Sequence, residues 1–149
     1  MTSAVVLDSG VFDKLFLDED DRGEFVRFLQ FAREKKLRLI APSLFLYEVL
    51  AVAAATPFGA TAAHDLIQAF VKAGFSLVEL DGPVIVKAIE IANFGHQKSG
   101  FPTFYDLSYQ ALALREGGVF LTADQKHATK TTRFGGIVLL RDREAHFLR

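Results

Sequence analysis

Cysteine and tryptophan are both absent from this chain of 149 residues. Without cysteine, disulfides, thiolate catalysis and Cys-based zinc or iron–sulfur sites are excluded. The same absence fits a reducing cytosol. An excess of either charge is also missing, because 17 basic and 18 acidic residues leave a net charge of −1. Bulk charge therefore makes no generic polyanion binder, and any nucleic-acid contact has to come from a local basic patch or through bound metal. No apolar run is long enough for a bilayer, which needs about 20 residues. The least polar stretch, Leu39 to Ala63, is broken by Pro42, Glu48, Pro57 and Gly59. Met1 to Gly10 carries no Lys or Arg and no cleavage-like site, so a secretory signal is not expected. A cytoplasmic protein without a membrane partner is the expectation. Repeats and low-complexity segments are lacking too. No G-x-G-x-x-G or P-loop follows any strand-like run, which argues against a nucleotide-cofactor enzyme.

What is present suits one packed domain over residues 1–149. Half of the residues are hydrophobic, fifteen are Phe, and 23% are charged, a composition that points away from disorder. Val5 to Leu7 is a short apolar run ending at Asp8. Arg22 to Lys36 places Phe25, Phe28, Leu29 and Ala32 at helical spacing. Leu37 to Ala41 reads as a strand stopped by Pro42, and Ser43 is placed to cap a helix through Ala55. A helix over 60–73 and a strand over 75–80 follow. Asp81-Gly82-Pro83 reads as a turn before a helix over 84–97, and 98–102 as a loop. Thr103 is placed to cap a helix ending at Gly117-Gly118. Strands over 119–121 and 137–140 flank a short helix from about Asp124 to Thr132. Strands alternating with helices predict an α/β fold with a largely parallel five-stranded sheet.

The informative pattern lies in four isolated acids. Glu48 is the only charged residue from Leu39 to Ala63, and Asp106 the only one from Ser99 to Leu114. Asp8 stands alone from Met1 to Phe12, as does Asp124 from Gly117 to Gln125. Each lies in a segment that otherwise looks buried, where an unpaired carboxylate is costly unless neutralised, paired or bound to metal. Asp8 and Asp124 fall at the C-terminal ends of strands, the edge where open parallel sheets bind ligands. Taken singly, three of them have plain structural readings. Asp8 can cap a turn, Asp106 is the fourth residue of the capping-box-like Thr103-Phe104-Tyr105-Asp106, and Asp124 can be an N-cap. Glu48, among Leu46, Tyr47, Val49 and Leu50, has no capping role.

Gathered together, four carboxylates require a cation: two unit charges 4 Å apart repel by about 4 kcal/mol at an effective dielectric near 20. All-oxygen ligands select a hard ion, Mg²⁺ or Mn²⁺, one or two per site, able to activate water against a phosphodiester. His64, His96, His127 and His146 have no zinc-ligand spacing and are read as ordinary surface or core residues.

With these residues in place the sequence resembles the PIN-domain proteins, in particular the VapC-type toxin ribonucleases. The resemblance spans the whole chain. It rests on Val5-Val6-Leu7-Asp8-Ser9 and on Ala41-Pro42-Ser43-Leu44-Phe45-Leu46-Tyr47-Glu48-Val49. It rests equally on Tyr105-Asp106-Leu107-Ser108-Tyr109-Gln110-Ala111-Leu112-Ala113 and on Phe120-Leu121-Thr122-Ala123-Asp124. It implies a three-layer α/β/α sandwich and a divalent-metal site of Asp8, Glu48, Asp106 and Asp124. Asp8, Asp106 and Asp124 would hold the ions most directly, while Glu48 would work through water. Ser9 and Thr122 would be hydroxyls orienting the acids or the metal's water. It also implies an endoribonuclease toxin, often a homodimer, silenced by a small antitoxin whose tail occupies the active-site groove. Gly10, where a bulkier residue is frequent, is a departure.

For RNA, Lys126, Lys130 and Arg133 form a basic stretch directly after Asp124, with Lys98 in the 95–102 loop as a further candidate. A solvated helix face is the plain reading of that stretch. Phe12, Phe16, Phe101 and Phe104 are candidates for stacking on bases, against a core role for most of the fifteen Phe. The acidic run Asp18 to Asp21 reads as a solvated loop, and Ala51 to Ala55 suits either a dimer contact or an internal one. Rival readings are a non-toxin PIN nuclease and a catalytically silent RNA- or partner-binding module. A phosphotransfer domain fits poorly: Gly10 stands where a dehalogenase-type phosphatase needs its second Asp, and Leu80-Asp81-Gly82-Pro83 is a poor receiver site.

Overall fold

The structure is a computed structural model that describes residues 3–94 and 102–147. Its first half runs β1 (Ala4–Leu7), α1 (Ser9–Phe12), a 3-10 turn (Asp13–Leu15), α2 (Arg22–Glu34), β2 (Arg38–Pro42), α3 (Leu44–Ala54), α4 (Ala60–Lys72) and β3 (Ser76–Val78). Its second half runs α5 (Gly82–Ala92), α6 (Phe104–Arg115), β4 (Val119–Thr122), α7 (Gln125–Thr131), β5 (Ile137–Leu139) and α8 (Arg143–Phe147). The strands pair in the order β3-β2-β1-β4-β5, every pair parallel. The expected α/β fold with a five-stranded parallel sheet is therefore present.

Side chains on both faces of β1 are buried, as a parallel strand covered by helices on either side requires. One cover is α6, which lies across β2, β1 and β4 with α5 beside it. The other is the connected set α1, α3 and α4. There Phe12 meets Phe45 and Phe70 edge-on at centroid distances of 5.2 and 5.1 Å, and Phe45 meets Phe75 at 5.2 Å. Each such pair contributes about 0.5–1.5 kcal/mol beyond the area it buries. At the entry to β4, a Cβ on Gly118 would stand 2.0 Å from the Ala4 carbonyl oxygen. Only glycine lets the chain leaving α6 come that close to β1.

β1 continues sideways into β2 and β3, whereas β4 and β5 lie on its other flank. The strand order thus reverses between β1 and β4, and their C-terminal ends open the crevice where such sheets bind ligands.

Several local expectations are corrected. Ser43 precedes α3 but makes no side-chain cap, because its own backbone is already helical. Pro42 is the last residue of β2 instead of its stop, placed beyond the last residue paired with β1. Asp81-Gly82-Pro83 begins α5: Asp81 accepts from the Val84 amide at 3.2 Å, and Pro83 sits in the first turn, where its missing N–H costs nothing. That helix ends at Ala92, and Gln97 of the expected helix lies outside the described residues. The run Asp18 to Asp21 is partly a clamp. Lys14 Nζ is buried and 2.7 Å from both Glu19 and Asp21, since a buried ammonium needs acidic partners. Phe12 is fully buried and therefore closed to a base. Phe16 stacks on Phe58 at 4.9 Å, and Phe104 is exposed. Phe101 lies outside the described residues. No helix among the described residues is long and apolar enough to cross a membrane.

Candidate active site

Asp8 leaves β1 with its amide donating to Leu121 of β4, 3.1 Å away, so the two strand ends are locked side by side. Its Oδ1 accepts from the Gly10 amide at 3.4 Å, the capping role. Its Oδ2 accepts from the Thr122 hydroxyl at 2.6 Å. Thr122 Oγ1 in turn accepts from the Asp124 amide at 3.0 Å, so one buried hydroxyl ties the first acid to the fourth.

Glu48 reaches the same edge from α3. Its Oε1 accepts from the Tyr109 hydroxyl at 2.6 Å, and the Ser9 hydroxyl is a second partner. Tyr109 is buried in α6 and stacked on Phe120 at 5.2 Å, so the donor is rigid. Asp106 sits in the first turn of α6, its amide held by Thr103 Oγ1 at 3.2 Å. Asp124 is the N-cap of α7, accepting from the His127 amide at 3.1 Å. The capping readings of Asp8 and Asp124 are thus present alongside the shared crevice, and at Asp106 the cap itself is Thr103.

Charge shows which acids are near one another. Burial raises the Asp8 carboxyl to about 6, against the Thr122 hydrogen bond, with Asp106 and Glu48 adding repulsion. Burial likewise raises Glu48, with Asp106 adding to it and the hydroxyls of Tyr109 and Ser9 opposing. Asp8, Glu48 and Asp106 therefore form one repulsive set; among the described residues Asp8 and Glu48 are met by hydroxyls and an amide, and Asp106 by the His127 ring, with no Lys or Arg paired to any of them. Asp124 joins it through Thr122 and through His127, on which both Asp106 and Asp124 act.

Three residues near the crevice escaped the sequence reading. Asp13 is buried, its Oδ1 has no hydrogen-bond partner, and burial plus the charges of Asp8, Glu19 and Glu48 raises it to about 7. It follows the three apolar or small residues Gly10, Val11 and Phe12, and no motif of the sequence singles it out. Tyr109 entered only as part of the Tyr105 to Ala113 motif, with no role of its own. His127, three residues after Asp124, is fully enclosed with Nδ1 3.8 Å from Asp106 Oδ2.

The basic candidates differ among themselves. Lys126 is exposed on the first turn of α7, and Lys130 lies close enough to His127 to act on it by charge. Arg133 has its guanidinium over the rings of Phe94 and Phe134, at 5.3 and 4.8 Å. Lys98 lies outside the described residues.

The donor set fits a hard divalent cation. It consists of oxygen atoms, it is repulsive without a positive charge, and its buried carboxyls are driven toward protonation for want of one. As they stand, no three acids or histidines among the described residues form a ready cage. Mg²⁺ does not require one, because it keeps most of its waters and takes one or two carboxylates.

A parallel α/β sheet with acids converging at its switch point defines a class, and the sequence places the chain within it. The PIN domain profile matches residues 5–131, and the chain belongs to the PIN domain family. Solved structures share the fold. VapBC2 from Rickettsia felis, bound to a DNA fragment from its promoter, superposes with a TM-score of 0.67 at 13% identity, covering 91% of this chain and 96% of that one. FitAB bound to a DNA fragment gives 0.68 at 13% identity, covering 91% and 94%. The sarcin–ricin-loop-cleaving toxin VapC20 of Mycobacterium tuberculosis gives 0.59 at 14%, covering 76% and 84%. No curated protein matches the chain in sequence.

Proposed function

We propose that the chain is a Mg²⁺- or Mn²⁺-dependent endoribonuclease, the toxin of a type II toxin–antitoxin pair. The observation that carries this reading is the crevice itself: Asp8, Glu48 and Asp106 repel one another there, and among the described residues neither Lys nor Arg pairs with them. One or two ions, bound there, would supply Lewis-acid stabilisation of a phosphodiester and a water acidic enough to attack at neutral pH. Asp8, Asp106 and Asp124 are assigned to hold them, and Glu48 to orient water. Thr122 fixes Asp8 against the backbone of Asp124, and Tyr109 with Ser9 holds Glu48 to one orientation. Lys126 and Lys130, directly beyond Asp124, are assigned to the RNA backbone.

The substrate class and the partner draw support from the similar folds, one described as a sarcin–ricin-loop-cleaving toxin and another as a toxin–antitoxin complex from Klebsiella pneumoniae. A small cognate antitoxin and a homodimer belong to the same reading. The test is RNA cleavage by the purified chain with Mg²⁺, with EDTA, and after co-purification with the product of the adjacent reading frame. Cleavage that needs the ion and stops with that partner is expected. Cleavage undiminished by EDTA overturns the metal site, and RNA left intact with Mg²⁺ points to a silent binding module.

A further inference from the structure

His127 is fully enclosed in α7, its ring edge-on to Phe120 at a centroid distance of 5.8 Å. Its two nitrogens have unequal surroundings. Nε2 is 3.5 Å from Thr131 Oγ1, whose proton is already committed to the His127 carbonyl at 3.0 Å. Nδ1 is buried, has no hydrogen-bond partner, and stands 3.8 Å from Asp106 Oδ2. A neutral imidazole carries one N–H. If that proton were on Nε2, it would reach Thr131 Oγ1 only at the limiting distance of 3.5 Å, and the buried Nδ1 lone pair would face the half-buried Asp106 carboxylate across 3.8 Å, two acceptors repelling each other. With the proton on Nδ1, the N–H points at Asp106. The 3.8 Å gap exceeds hydrogen-bond range and is within reach of charge–dipole attraction, which favours an Nδ1–H facing the carboxylate.

We infer that His127 is a positioning residue: its Nδ1–H orients Asp106 and thereby sets the affinity of the crevice for a divalent cation. This rests on the metal-nuclease reading. Partners that orient a ligating side chain through a hydrogen bond typically change metal affinity by about 10–100-fold when removed. Asn places an amide N–H where Nδ1 stands, whereas Gln reaches instead toward the Nε2 position.

Two measurements on the full chain decide it. In metal-free protein, the imidazole nitrogen shifts of His127 are expected to put the proton on Nδ1; a proton on Nε2 overturns the inference. In Mn²⁺ titrations followed by electron paramagnetic resonance, His127→Asn is expected to bind within about threefold of wild type. His127→Gln and His127→Leu are expected to bind about 10–100-fold more weakly. Circular dichroism at the titration temperature confines the comparison to folded variants. Equal Mn²⁺ affinity across folded Asn and Gln variants overturns the inference. Wild-type protein that binds no Mn²⁺ overturns the metal reading and the affinity role together, while the nitrogen shifts judge the His127–Asp106 pairing on their own.

Discussion

The two ends of the central sheet treat their carboxylates in opposite ways. Where β2 begins, Glu116 accepts from Arg38 at 3.0 Å and from Arg115 at 3.1 Å, and Arg115 also pairs with Asp81. The Arg38 hydrogen bond holds Glu116 below the usual carboxylate range. Where β1 and β4 end, Asp8, Glu48 and Asp13 are pushed above it, first by burial and then by neighbouring carboxylates, Asp106 among them. The first end is self-sufficient. Among the described residues the second carries an excess of negative charge, which the rest of the fold has to hold in place.

The largest effect expected from this contrast is on catalysis. Asp8→Asn or Asp106→Asn should lower Mg²⁺-dependent RNA cleavage by about 100-fold or more, while Glu116→Gln leaves it unchanged. Both Asp variants should melt no lower than wild type without metal, because a repulsive charge is gone. Initial cleavage rates and thermal melts check the two halves separately. Full cleavage by both Asp variants removes the site.

Next in size is the pH dependence of the metal-free protein. Asp8 and Asp13, with folded values of about 6 and about 7, bind protons more tightly folded than unfolded. Their stabilising contribution is therefore complete below the ordinary value of 3.8 and is lost as pH rises through 6 and 7. Between pH 5 and 8 the loss should be about 4 kcal/mol, or about 8–16 °C in Tm, and saturating Mg²⁺ should shrink it. Glu116 works the other way: its contribution stands above its ordinary 4.5 and is lost as pH falls through its lowered folded value. The two ends thus titrate in separate windows. A metal-free Tm that rises between pH 5 and 8 contradicts the contrast.

The four acids were legible because each interrupts an otherwise apolar segment, and the alternation of strands and helices was enough to place two of them at strand ends. Thr103 as a cap was legible for the same local reason. What could not be read depends on contacts across the sheet. Tyr109 meets Glu48 across 61 positions of sequence, and Thr122 meets Asp8 across 114. The PIN resemblance, not the residues themselves, suggested that Thr122 mattered. Ser43 failed as a cap because residue type constrains a cap position without fixing its backbone angles. Asp13 depends on tertiary contacts in the same way: the charge of Lys14 turns inward to Glu19 and Asp21 and leaves Asp13 without neutralisation sufficient to offset its burial.

A smaller effect tests how the crevice is braced. Tyr109→Phe deletes the hydroxyl that donates to Glu48 and keeps the ring on Phe120. It should cost about 1–2 kcal/mol of stability, since one oxygen of a half-buried carboxylate loses its donor. Cleavage should fall about 10-fold if Glu48 has to be held to one orientation. Loss of stability with unchanged cleavage would make Tyr109 a brace for the fold and take Glu48 out of the chemistry.

The smallest effect belongs to the self-sufficient end. Arg38 is exposed, and its bond to Glu116 is open to solvent and salt. Arg38→Ala should cost at most about 1 kcal/mol, and less in high salt, because solvent screens the attraction and Arg115 still reaches Glu116. RNA cleavage should not change. Thermal melts at low and high salt beside the cleavage assay provide the check. A cleavage defect from Arg38→Ala would mean that the paired end communicates with the crevice through β2, and the division of labour between the two ends would fail.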